Sequence, residues 1–252
     1  MKPPLRHKQK HNFIYGTRAI LEAIRAGKTI DKVFIDRAAK GPIHRELIIL
    51  MQQYQVPYSR VPTAKLNRLA SQNHQGAIAL LAPIALASLG HIIQVSYEQG
   101  KMPLVVILDS ITDVRNLGAI VRTAVCVGAS ALVIPTQGSA SIGGDAMKTS
   151  AGALAYLPIC RVASLQATIS YLQESGLQVM ACHDKAAESL YTTDLNVPIA
   201  ILLGAEDKGI RSELLQRADK HVCIPMVGPV ASLNVSVAAA VILYESFRQR
   251  QS

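Results

Sequence analysis

The chain has 252 residues, half of them apolar and 17% charged, and a formal net charge of +9. This length and composition exclude a disordered chain and give room for two ordinary domains, each with its own core. Apolar runs such as 235–243 and 199–203 are too short to cross a bilayer, and the basic N-terminus has no apolar stretch behind it, so neither a membrane span nor a secretory signal is expected. Cys126, Cys160, Cys182 and Cys223 are scattered without metal spacing. They read as buried, reduced thiols of a cytoplasmic protein, with no metal site.

The charge is unevenly placed. Residues 1–84 carry 14 Lys and Arg against 4 Asp and Glu, whereas residues 85–252 carry 12 against 13. A basic module joined to a neutral one suggests an anchoring part and a working part, and nucleic acid is the polyanion that a basic module most often holds.

Residues 1–11 read as a flexible basic arm, with Pro3-Pro4 and no apolar periodicity. From 12 to 83 helix and strand signals alternate in a small α/β domain. Helices are expected over Ala19–Ala26, His44–Tyr54 and Ala64–Ala70, and extended segments over Lys32–Ile35, Pro57–Val61 and Gly76–Leu81. Residues 84–100 are a join and a lead-in helix, Leu89–Tyr97. The stretch 101–252 opens on Pro103–Asp109, apolar on both faces as a strand in a covered parallel sheet is. A helix over Asn116–Val127, a strand over Ala131–Pro135 and a helix over Leu165–Glu174 follow. Strands over Leu177–Cys182 and Ile199–Leu203, a helix over Ser212–Arg217 and a strand over Val222–Ile224 come next. The helix Asn234–Arg248 ends the chain, and it is apolar nearly all round at its start, which predicts burial. The alternation predicts an α/β parallel sheet covered on both faces.

Ligands of such sheets bind at the carboxyl ends of the strands. Three strand ends carry loops of unusual composition, 109–118, 204–209 and 225–234. No G-x-G-x-x-G follows a strand, and no P-loop or Ser-His-Asp set is present, which argues against a dinucleotide enzyme. The loops offer backbone and small polar groups instead. Gly204 and Gly209 permit close approach, Glu206 and Asp207 add acceptors, and Ser232 and Asn234 stand where they could cap a helix. Arg115 and Arg122 flank the first loop and suit phosphate. Singly, each of these has a plain structural reading: Asn116, Ser232 and Asn234 as caps, Arg122 as a surface charge.

Together they form a pattern. The runs Asn116-Leu-Gly-Ala-Ile-Val-Arg122, Leu202-Leu-Gly204-Ala-Glu206-Asp-Lys-Gly209, Ile224-Pro-Met226 and Ser232-Leu-Asn234-Val-Ser236 closely resemble the motifs of the SpoU branch of the SPOUT methyltransferases. Lys148-Thr-Ser150-Ala-Gly152 fits the same family. Asn12–Gly16 and His74-Gln75-Gly76 resemble the RNA-binding domain of TrmH-like members, akin to kink-turn-binding ribosomal proteins. Asp207 departs from the Gly that many members carry.

The resemblance implies a C-terminal α/β methyltransferase domain with a deep trefoil knot, a rare exception to unthreaded connections. It implies S-adenosylmethionine held mainly by backbone groups at Leu203, Gly204, Ile224, Met226 and Leu233. Arg122, Asn116, Glu206, Ser232 and Asn234 match the family's catalytic positions. The implied reaction is 2′-O-methylation of a ribose in structured RNA, in layout most like the enzymes that act on a guanosine of 23S rRNA. A tRNA target shares every catalytic motif, and a non-catalytic RNA-binding assembly protein would have lost some of them. Members are usually homodimers with the active site at the subunit interface.

Overall fold

The computed structural model describes residues 13–70, 73–229 and 232–251; the expected basic arm 1–11, and Asn12, lie outside the described residues. The chain divides into two compact units, 1–83 and 84–252.

The first unit runs β1 (Phe13–Tyr15), α1 (Thr17–Arg25), β2 (Ile30–Asp36), α2 (Pro42–Gln53), β3 (Tyr58–Val61), α3 (Thr63–Leu69) and β4 (Ala77–Leu81). Its sheet has the order β1-β4-β2-β3, with β2 and β3 parallel and the other pairings antiparallel. One face buries Val33, Ile35, Ala77 and Ala79 against Ile20, Ile24, Leu47 and Met51 of α1 and α2. The other buries Ile78 and Val61 against Leu66 of the short α3. Gly76, expected inside the strand, instead precedes it at φ +80°, a left-handed conformation that suits glycine.

The second unit holds α4 (Leu89–Glu98), β5 (Leu104–Asp109), α5 (Val114–Cys126), β6 (Ala131–Pro135), α6 (Gly144–Thr149), β7 (Ile159–Val162) and α7 (Leu165–Glu174). It continues through β8 (Gln178–Cys182), β9 (Glu188–Ser189), β10 (Ile199–Gly204), α8 (Ser212–Leu215), β11 (Lys220–Cys223) and α9 (Val235–Arg250). The seven strands pair in parallel in the order β7-β6-β5-β10-β8-β11-β9. Every residue of β5 and β6 is buried, which is why their sequences are apolar without alternation. The lead-in helix α4 belongs to this unit, since its Leu89 and Ile93 enter the same core as Val105 and Leu202. Strand β10 lies between β5 and β8, so the sheet's order reverses beside β5, and such a switch point opens a crevice at the strands' carboxyl ends.

The expected burial of the terminal helix is corrected. Helix α9 buries Val235, Ala239, Ile242, Leu243 and Ser246 on one stripe, while Val237, Tyr244 and Phe247 stay 49%, 52% and 37% exposed. It packs chiefly against α5, touches β10 and the turn at 190–192 as well, and leaves Val237, Tyr244 and Phe247 at the surface.

Candidate active site

The first loop leaves β5 at Asp109, which is fully buried and accepts hydrogen bonds from Arg211 N and Nε, both at 2.9 Å. This ties the end of β5 to the segment that follows the 204–209 loop. Helix α5 is capped by Asp113, whose Oδ1 accepts from Arg115 N at 2.7 Å. The Arg115 guanidinium holds the Asp113 carboxyl below its ordinary range, and Arg115 is thereby engaged within its own turn. Asn116 is therefore not the cap, and its side chain is available for contacts across the loops.

The second loop is shaped by close backbone approach. A Cβ on Gly204 would overlap the backbone of Gly209 and Ile210. Gly209 sits at φ +64° and donates its N–H to Ala205 O at 2.7 Å. The tight loop leaves Glu206 at the N-terminus of α9, where it accepts from Val235 N at 3.3 Å and from Asn234 Nδ2. A carboxylate there complements the positive end of the helix. Asn234 is the N-cap of α9: its Oδ1 accepts from Ser236 N at 2.9 Å and Ser236 Oγ at 2.6 Å. Its Nδ2 also donates to Asn116 Oδ1 at 3.1 Å. Asn116, Glu206 and Asn234 thus form one hydrogen-bonded cluster that joins all three loops. The capping reading of Asn234 and its place in this cluster both hold.

Beside the cluster lies a cavity of about 360 Å³, in the usual range for a small-molecule site. All five residues expected to hold the cofactor line it: Leu203, Gly204, Ile224, Met226 and Leu233. Glu206 and Ser232 line it too. The walls combine aliphatic residues and glycines with charged side chains, among them Asp184, Glu206 and Asp207. Among the described residues no group of three His, Cys, Asp or Glu side chains is placed to hold a metal ion.

Arg122 stands apart. It is exposed, does not line the cavity, and makes no hydrogen bond or ion pair among the described residues. Six residues after Asn116 on a regular helix, it lies about 9 Å further along the axis and roughly 120° round it. The structure therefore gathers four of the five candidate catalytic residues and leaves Arg122 outside them.

Residues 182–185 also line the cavity and were not foreseen. They follow β8, whose carboxyl end lies beside that of β10, so the strand-end rule alone would have found them. His183 Nε2 lies 3.1 Å from His221 Nδ1, and burial, then His221, pushes the His183 pKa down. Burial, then Cys223, pushes the Cys182 thiol up to about 12, so it remains a protonated, inert wall group. The Lys148–Gly152 motif is structural: Thr149 packs so tightly on Gly118 that a Cβ there would overlap it, and Ser150 is buried, accepting from Leu154 N at 3.2 Å. This holds α6 and the turn after it against α5.

Residues 103–244 match the SpoU rRNA Methylase family, and residues 13–86 match the family described as RNA 2′-O ribose methyltransferase substrate binding. YacO of Bacillus subtilis, assigned to the TrmH family of tRNA/rRNA methyltransferases, is 32% identical over 243 residues, 96% of this chain and 97% of its own. A solved RNA 2′-O ribose methyltransferase is 26% identical with a TM-score of 0.58, covering 97% of this chain and 90% of that one. The fold is also that of AviRb from Streptomyces viridochromogenes in complex with AdoMet, at 24% identity, a TM-score of 0.61 and coverage of 95% and 90%. The chain belongs to the SpoU rRNA methylase family.

Proposed function

We propose that this protein methylates a ribose 2′-hydroxyl in RNA, with S-adenosylmethionine as methyl donor and a guanosine of 23S rRNA as target. The observation that carries the reading is a cavity lined by the second and third loops, to which the first loop is joined through the hydrogen bonds from Asn234 to Asn116 and to the lining residue Glu206. The cavity suits the donor: adenine needs aliphatic walls and backbone edges, which Leu203, Ile224 and Leu233 supply, and Gly204 lets the 204–209 loop fold back tightly to form part of the wall. When bound, the donor supplies a methyl group on a positively charged sulfur, open to direct attack by an oxygen.

What remains for the protein is to position the ribose and take its proton. A guanidinium is a poor base at neutral pH, so the proton acceptor is not Arg122. Its role is to hold the phosphate next to the target ribose and polarise the hydroxyl. Asn116 and Asn234 orient the loops and the substrate, Glu206 fixes Asn234, and Ser232 contacts the substrate from the cavity rim.

Arg122 serves the site of a second copy. Its distance along α5 from Asn116 and its lack of a partner among the described residues support this, as does the exposed apolar face of α9, which a homodimer would cover. The deep trefoil knot belongs to the same reading, supported by β10 entering between β5 and β8 and by α9 returning against α5. A tRNA target is the second reading, because the relative YacO is described for both RNAs.

The test is transfer of labelled methyl from S-adenosylmethionine to unmodified 23S rRNA and tRNA in parallel. Label recovered as 2′-O-methylguanosine in 23S rRNA, and lost with Arg122→Ala while donor binding by calorimetry is unchanged, is the expected result. Label in tRNA alone selects the second reading. Failure to bind the donor at all would sink the enzyme.

A further inference from the structure

The first unit covers the two faces of its sheet unequally. Two helices, α1 and α2, pack on one face, while among the described residues of this unit the other meets only the seven-residue α3. On this lightly covered face the register sets Tyr15, Ile78 and Phe34 in one row across β1, β4 and β2, and Phe13, Leu80 and Lys32 in the next. Tyr15 and Phe34 are half-buried, packed against Val61, Leu66 and Ile78 without being closed off from solvent.

Two ammonium groups converge on one of these rings. Lys32 Nζ lies 5.8 Å and Lys65 Nζ 5.5 Å from the centroid of Phe34. Each cation is attracted to the ring face, yet the two repel one another. Among the described residues neither lysine has a carboxylate partner to offset that repulsion. Residues 13–83 carry 10 Lys and Arg against 4 Asp and Glu. A surface that interleaves aromatic rings with uncompensated lysines is complementary to an anion that also has flat apolar faces. A nucleotide is such a group.

Duplex RNA hides its base faces in the stack, so it could reach the lysines and leave the rings unused. An unpaired strand can lay its bases on aromatic side chains. We propose that this face of the sheet is a platform for an unpaired RNA segment, with a base stacked on Phe34 or Tyr15 and its phosphates on Lys32 and Lys65. The inference rests on the reading of this unit as RNA-binding and specifies where the RNA lies and in what form.

The experiment is fluorescence anisotropy of the full chain with a labelled twelve-nucleotide single-stranded RNA of mixed sequence and with a labelled RNA hairpin duplex, over a salt series. Lys32→Ala with Lys65→Ala should weaken single-strand binding at least tenfold and reduce the salt slope by roughly 1.4, two phosphate contacts at about 0.7 each. Tyr15→Leu with Phe34→Leu keeps apolar volume and removes the π faces. It should weaken single-strand binding about fivefold, leave the salt slope unchanged and spare the duplex. Circular dichroism confirms that each variant is folded, and the lysine variant stands independently should the aromatic one unfold. Unchanged single-strand affinity in the folded variants, with RNA still bound, overturns the platform and leaves the RNA-binding reading intact. Losses in the aromatic variant that are equal on strand and duplex overturn it, because no unpaired base would then be stacked on the rings. No RNA binding by the native chain overturns both.

Discussion

Gly204 is the residue on which the cavity's shape depends most directly. It ends β10 and lets the chain turn back so closely that Gly209 and Ile210 occupy the space a side chain would need. Gly204→Ala would force that backbone outward, and overpacking of this kind costs about 1–3 kcal/mol. The expected result is a lower melting temperature together with at least tenfold weaker donor binding, read by calorimetry. Melting that shifts while binding holds would show that the loop's shape is irrelevant to the cavity. Asn234 is a milder case. Asn234→Ala removes the N-cap of α9, worth about 1 kcal/mol, and frees Glu206 and Asn116 from each other. Methyl transfer should fall more steeply than stability, whereas Asn234→Asp keeps the cap acceptor but places a second carboxylate beside Glu206. These residues were legible in the sequence because glycine, capping asparagine and acidic loop residues at strand ends each have few physical uses. His183 carries no spacing signal of its own; only its position at the carboxyl end of β8 could have marked it, and its pairing with His221 gives it a place.

At the scale of elements, what could be read depended on length. Strands β5, β6, β8 and β10 and helices α5 and α7 are long enough to show their periods, and each stands where the sequence places it within a few residues. Strand β1 has three residues, β9 two and α6 six, too few for a hydrophobic period to emerge from the background. Helix α9 misled for a different reason: its apolar residues lie on two faces, and one chain buries only one of them. Its last turns are a latch. Glu245 accepts from Arg248 Nη2 and Nε at 2.8 and 2.9 Å and from Gln249 Nε2 at 2.8 Å. Gln249 in turn bonds Leu195 N and Thr193 O, and Arg250 Nη1 donates to Met102 O at 2.9 Å. Hydrogen bonds from Arg248, then Gln249, hold the Glu245 carboxyl at about 2, below its ordinary 4.5. A depressed carboxyl contributes stability above its unfolded value and loses it as pH falls towards its folded one. Between pH 4.5 and about 2 the protein should therefore lose stability, and Glu245→Gln should flatten that part of the curve. With Arg248 largely exposed, the loss at neutral pH should be no more than about 1 kcal/mol. Denaturant titrations across this range measure both effects; an unchanged acid slope in the variant would remove Glu245 from the latch.

For the whole molecule, the open question is how Arg122 meets the rest of the site. Within one chain it lies outside the Asn116–Glu206–Asn234 cluster and has no partner among the described residues. It does not line its own chain's cavity, and α5, which carries it, is held by α9 on one side and by Thr149 against Gly118 on another. A two-fold dimer removes the difficulty, since each copy can lend its Arg122 to the other without either core moving. The exposed Val237, Tyr244 and Phe247 of α9 offer the apolar surface on which two copies could meet. Mixing two dead variants separates the cases. Arg122→Ala keeps its own cluster and lacks the arginine, whereas Glu206→Ala lacks the cluster and keeps the arginine. After subunits exchange at equal concentrations, half the dimers are mixed. If Arg122 acts across the interface, each mixed dimer has one complete site of two, so about a quarter of native activity returns. If Arg122 acts within its own chain, no dimer holds a complete site and the mixture stays inactive. Sedimentation of Tyr244→Asp with Phe247→Asp supplies the companion measurement. A monomer that still binds the donor but no longer transfers methyl is the result that a shared site requires.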